Sequence, residues 1–108
     1  MADHPLLADK PTLAAVQSYI SATNKFRGHD ESLQTGLLLL CEEVGELAKA
    51  CRKQNGIRRD SAKANDDHVD EEAADVLWML CTVCNALGID LNEAFHAKEQ
   101  KNKARVWK

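Results

Sequence analysis

The chain has 108 residues, the size of one domain, and its 44% apolar and 29% charged residues exclude a disordered chain. Two prolines and five glycines leave little of the turn punctuation an all-β fold needs, so an all-α protein is expected. A net charge of -3 argues against a nucleic-acid binder, and no apolar stretch approaches the length of a membrane span; with no signal peptide legible, a cytoplasmic protein is expected.

The residues before Pro11 read as a flexible tail, 1–11. Pro11 and Thr12 open a first helix that carries Leu13, Val16 and Ile20 at helical spacing. The stretch Phe26-Arg27-Gly28-His29-Asp30 breaks that pattern as a turn, and Ser32 or Asp30 is placed to cap a second helix. That helix runs to about Lys53, where Asn55-Gly56 stops it. From Gln54 to Asp67 the only large apolar side chain is Ile57, so 54–67 is expected to be a mobile loop of the kind that forms lids and substrate clamps. A third helix spans about Asp67 to Leu87, with Gly88 as its left-handed cap. Asp90 caps a fourth, from Leu91 towards Arg105. The four cysteines fall inside these helical patterns and read as reduced, small core residues; Cys81 and Cys84 alone have ligand spacing, too few for a zinc site.

The second helix carries the sharpest information. Leu33, Leu37, Leu40, Val44, Leu47 and Cys51 alternate four and three apart, a seam of the kind helix bundles use. Leu37, Leu38, Leu39 and Leu40 are consecutive and therefore point to every side of the helix. A helix so surrounded, in a chain this short, implies a second subunit over the face its own chain cannot reach. Into this helix the sequence sets Glu42, Glu43 and Glu46. Glu43 and Glu46, three apart, leave one flank, between Leu39 and Ala50. The third helix repeats the device with Glu72 and Asp75, beside the apolar face of Val69, Ala73, Val76, Leu80, Cys84 and Leu87. Antiparallel packing would bring the four carboxylates together in a dry interior. Like charges so confined are costly unless a cation joins them. Carboxylate oxygens with no histidine or thiolate nearby favour Mg²⁺, with Mn²⁺ as a substitute, over zinc.

Glu42-Glu43-Val44-Gly45-Glu46-Leu47, then Glu72-Ala73-Ala74-Asp75-Val76-Leu77-Trp78, with Gly88-Ile89-Asp90-Leu91 and Ala94-Phe95 following, resembles the MazG-like nucleoside triphosphate pyrophosphohydrolases. Their pattern is E-E-x-x-E followed by E-x-x-D, and the resemblance extends over roughly Leu33 to Trp107. It implies an all-α, four-helix protomer whose bundle is completed by dimerisation, as a dimer or a dimer of dimers. The activity implied is Mg²⁺-dependent hydrolysis of a (d)NTP to the monophosphate and pyrophosphate. By position Glu43, Glu46, Glu72 and Asp75 are similar to the family's metal ligands, and Glu42 is the candidate to orient or deprotonate the attacking water.

A triphosphate needs cationic donors as well as metal. Lys98, Asn102 and Arg105, spaced four and three on one face of the fourth helix, are candidates, as is Arg58 with Arg59 and Lys63 in the loop. Helix-dipole complementarity is the plainer account of the C-terminal bases, and suffices for Lys101, Lys103 and Lys108. Trp78 reads as core or interface more readily than as a base-stacking platform. A ferritin-like dinuclear site would need two E-x-x-H pairs, and the chain has one, Glu93/His96. A non-catalytic nucleotide-binding or dimerisation module of the same fold is the other alternative, although a scaffold gains nothing from repelling carboxylates.

Overall fold

The computed structural model describes residues 3–56 and 68–105. Four helices account for the regular structure among them: α1 (Leu13–Arg27), α2 (Leu33–Gln54), α3 (Val69–Leu87) and α4 (Leu91–Ala104). The all-α expectation holds, Ser32, Gly88 and Asp90 cap as expected, and Thr12, expected only to open the first helix, proves to be its cap. Thr12 Oγ1 accepts from the Ala15 N–H, Ser32 Oγ from Thr35, and Asp90 Oδ1 from Glu93. Asp30 works with Ser32, its two oxygens accepting from the Ser32 N–H at 2.8 Å and the Thr35 hydroxyl at 2.9 Å.

Two boundaries differ from the expectation. The first helix runs through Phe26 to Arg27, because Gly28 (φ 71°) closes it by donating to Asn24 and Lys25 while the His29 N–H reaches Asn24. Of the expected loop 54–67, Gln54 completes α2 and Asn55 caps it through its backbone and Nδ2; Arg58, Arg59 and Lys63 lie outside the described residues. Residues 3–11 have no regular structure, but the His4 ring stands edge-on against Phe26 at 5.0 Å.

The antiparallel pair α2/α3 is the spine, with α1 packed on α3 and α4 on α1. The expected seam of α2 is rotated in the structure. Burial follows Leu33, Gly36, Leu40, Glu43, Leu47 and Ala50, and leaves Leu37 and Val44 about half exposed. Gly36 decides the rotation: a Cβ there would meet Val83 Cγ2 at 3.2 Å, so α3 packs closely against α2 at a position with no side chain. Glu43, seven residues on, is thereby set on the packed face.

The apolar core is small: Ile20, Ala50, Cys81, Val83 and Cys84. All four cysteines are free as expected, but Cys41 is exposed and only Cys81 and Cys84 are core. The radius of gyration, 17.0 Å, exceeds the roughly 13 Å of a compact chain of this length. No single helix among the described residues is long and apolar enough to cross a membrane.

One buried amide sets the α3–α4 corner. Gln17 Nε2 donates to Asn85 Oδ1 at 2.9 Å and to the Ile89 carbonyl, while its Oε1 accepts from the Leu91 N–H at 3.0 Å. Asn85 Nδ2 returns a bond to the Gln17 carbonyl. Gln17→Leu leaves these partners unpaired and is expected to cost about 2–3 kcal/mol, read as a lower urea midpoint at unchanged slope. Ser18→Ala, next door and exposed, should stay within about 0.5 kcal/mol of the parent.

Candidate metal and nucleotide site

Glu43 of α2 and Glu72 and Asp75 of α3 bring one carboxylate oxygen each to within 4.8 Å of one another. Three of the four expected ligands therefore converge from two helices. The expectation of a dry interior is corrected. In the protomer Glu43 and Glu72 are half-buried and Asp75 is exposed. Glu46 and Glu42 are exposed and stand outside the triad, though near enough for their charges to act on Glu43.

Burial pushes the Glu43 carboxyl above its ordinary range, and the negative charges of Asp75, Glu72, Glu46 and Glu42 push it further. A raised acid binds more protons when folded than when unfolded. The metal-free protein should therefore lose stability as pH rises from the ordinary glutamate range through the raised value. Glu43→Gln should flatten that slope, checked by urea midpoints from pH 4 to 8 in chelator. Three clustered carboxylates with no histidine or thiolate among them fit a hard divalent cation, and the raised Glu43 is the strain such an ion would relieve.

The cationic candidates stand apart from this triad by element. Lys98 and Asn102 lie on α4, whose packing partner is α1, and Arg105 follows that helix in extended backbone. Lys98 is exposed and Asn102 half-buried. Arg58 lies outside the described residues.

Beside the triad, and sharing Asp75 with it, a cavity of about 500 Å³ opens between α1, α2 and α3. Asn24, Arg27, Trp78 and Thr82 line it. Of these, only Trp78 drew attention in the sequence. The others are ordinary polar residues whose role arises from pairing across more than fifty positions, for which no local pattern exists.

The sequence profile of the MazG nucleotide pyrophosphohydrolase domain matches residues 31–107. The chain is 30% identical over 96 residues to the dATP/dGTP diphosphohydrolase of Cyanophage S-2L, covering 89% of this chain and 78% of that one. It is 40% identical over 55 residues to the uncharacterised protein YpjD of Bacillus subtilis, an alignment spanning 51% of this chain and 50% of YpjD. The crystal structure of YpjD, assigned provisionally as a pyrophosphatase, superposes with a TM-score of 0.74 at 27% identity over 92% of this chain and all of the other. The crystal structure of iMazG from Vibrio DAT 722 gives 0.65 at 30%, covering 90% and 99%.

Proposed function

The chain belongs to the MazG nucleotide pyrophosphohydrolase family, and from that premise we propose that it hydrolyses deoxynucleoside triphosphates to the monophosphate and pyrophosphate. The observation that carries the proposal is the convergence of Glu43, Glu72 and Asp75 within 4.8 Å. These three, with Glu46 closing from the next turn of α2, would hold Mg²⁺, for which Mn²⁺ would substitute. When bound, the cation supplies charge neutralisation for the triphosphate and Lewis acidity towards it. Glu42, exposed beside the triad, is assigned to orient the attacking water and take its proton on a carboxylate oxygen. The water oxygen bonds to the α-phosphorus as the bond from that phosphorus to the bridging oxygen breaks, and pyrophosphate leaves. Lys98, Asn102 and Arg105, which stand apart from the triad within the protomer, and Arg58 are kept as the candidate donors to phosphate oxygens.

The exposed apolar face of α2 and α3 supports self-association as a dimer or dimer of dimers, which would also dry the triad. A panel of deoxy- and ribonucleoside triphosphates with Mg²⁺ tests the activity, with pyrophosphate and monophosphate both quantified. Equimolar release of the two, abolished by chelator and restored by Mg²⁺, is expected. Release of orthophosphate, leaving the diphosphate, would overturn the assignment of the cleaved bond.

A further inference from the structure

The cavity beside the triad has a polar frame that metal binding does not require. Trp78 Nε1–H donates to Asn24 Oδ1 at 3.0 Å, Asn24 Nδ2 donates to Thr82 Oγ1 at 3.0 Å, and the Thr82 hydroxyl donates to the Trp78 carbonyl at 2.9 Å. The circuit closes on itself, and Asn24 and Thr82 are both buried. Tyr19 meets the indole perpendicularly at 6.1 Å. The bond from Nε1 fixes the ring's orientation from its edge and leaves its face out of the circuit. What stands over that face is the Arg27 guanidinium, 5.5 Å from the centroid. Arg27 is exposed and ends α1, so it can swing aside at little cost. An aromatic platform so braced, with a planar cation resting on it, is the arrangement on which a nucleobase stacks.

At the rim of the same cavity lies Asp30. Its two oxygens accept from Ser32, at the N-terminal end of α2, and from the Thr35 hydroxyl in the first turn, and their four lone-pair sites leave acceptor capacity free. These bonds hold the carboxyl below the ordinary aspartate range, so at neutral pH it is an acceptor only.

The geometry points to a nucleobase subsite in which the base of the substrate stacks on Trp78, displacing Arg27 to its outer face, while Asp30 selects bases that carry an exocyclic amino group. Adenine, guanine and cytosine offer that donor at the edge of the ring; thymine and uracil offer only the N3–H, flanked on both sides by carbonyl oxygens that a carboxylate repels. Because the cavity shares Asp75 with the triad, a triphosphate held there directs its nucleoside end into this space. The inference rests on the triphosphate reading above, and the stacking surface ranks purines ahead of cytosine.

Trp78→Leu and Asp30→Asn test it, with kcat and KM measured separately for dATP, dCTP and dTTP and with inorganic tripolyphosphate as a baseless competitor. In Asp30→Asn the preference for dATP over dTTP should fall about tenfold, through KM. In Trp78→Leu the KM for dATP should rise about tenfold, with inhibition by tripolyphosphate unchanged. Binding is also read without turnover: in a Trp107→Phe background, Trp78 emission should be quenched saturably by dAMP. A wild type that releases no pyrophosphate but shows the quench would defeat the catalytic reading and leave the subsite standing. A wild type that turns over normally, with base ranking unchanged in both variants, would overturn the subsite. Equal loss of tripolyphosphate and dATP affinity in Trp78→Leu would likewise reduce Trp78 to a structural role.

Discussion

Glu43→Gln is expected to lower pyrophosphate release by at least about a thousandfold, the scale on which removing a group that organises transition-state charge acts in other active sites. Glu43 is the one triad member contributed by α2, so its removal leaves two carboxylates from a single helix, three residues apart. The helices should persist, because the amide fills the same volume on the packed face. Two further readouts separate loss of the site from loss of the fold. Without metal the variant should melt at or above the parent, since the substitution removes the charge that burial and four neighbouring acids disfavour. With Mg²⁺ the parent should gain stability and the variant should not. Glu71→Gln, an exposed acid one residue before Glu72, should leave turnover unchanged. If Glu43→Gln retains parental activity, the triad is not the metal centre.

Leu38→Glu is expected to leave a monomer, with a loss of about 2 kcal/mol or more in stability and a parallel loss of activity. In an isolated protomer the substitution would be harmless: Leu38 is 69% exposed, and surface changes of this kind usually stay within about 0.5 kcal/mol. But Leu38 does not stand alone. Leu37, Leu39 and Val44 are exposed with it on α2, and Leu77, Leu80 and Leu87 are exposed on α3. Large exposed apolar side chains in this number are what an association interface looks like before it is covered, and each leucine buried there is worth about 1.5–3 kcal/mol. Sedimentation or light scattering reads the oligomer and chemical unfolding reads the stability. Parental stability in Leu38→Glu would mean that solvent is the true neighbour of this face.

What the sequence made legible is what local rules encode. Thr12, Ser32 and Asp90 cap helices because short oxygen-bearing side chains satisfy the first free N–H groups, and Gly88 ends α3 because it tolerates a left-handed backbone. The carboxylate pairs were legible as periodicity on the right helices. The rotation of α2 was not. Leu37 and Val44 fit a seam as well as Gly36 and Glu43 do, and a hydrophobic pattern gives no weight to the absence of a side chain. Nor was the Asn24–Thr82–Trp78 circuit legible, since its members are three separate polar residues until tertiary packing unites them. The exposure of Asp75 and Glu46 was not legible either: helical spacing places acids on one flank but does not say how deep each sits when the helices pack.

The close approach of Gly36 to Val83 has a consequence for how such a protein can diversify. It acts as a register pin. Glu43 follows Gly36 by two turns of α2, about 10.5 Å along the axis, and Asp75 precedes Val83 by a little more than two turns of α3. With the helices pinned there, the distance between the opposing acids is set from one side, independently of the chain that joins Gln54 to Val69. Insertions or deletions in that connection would then leave the reaction centre undisturbed, so a lineage could remodel it for new substrates while the hydrolytic chemistry stays where it was.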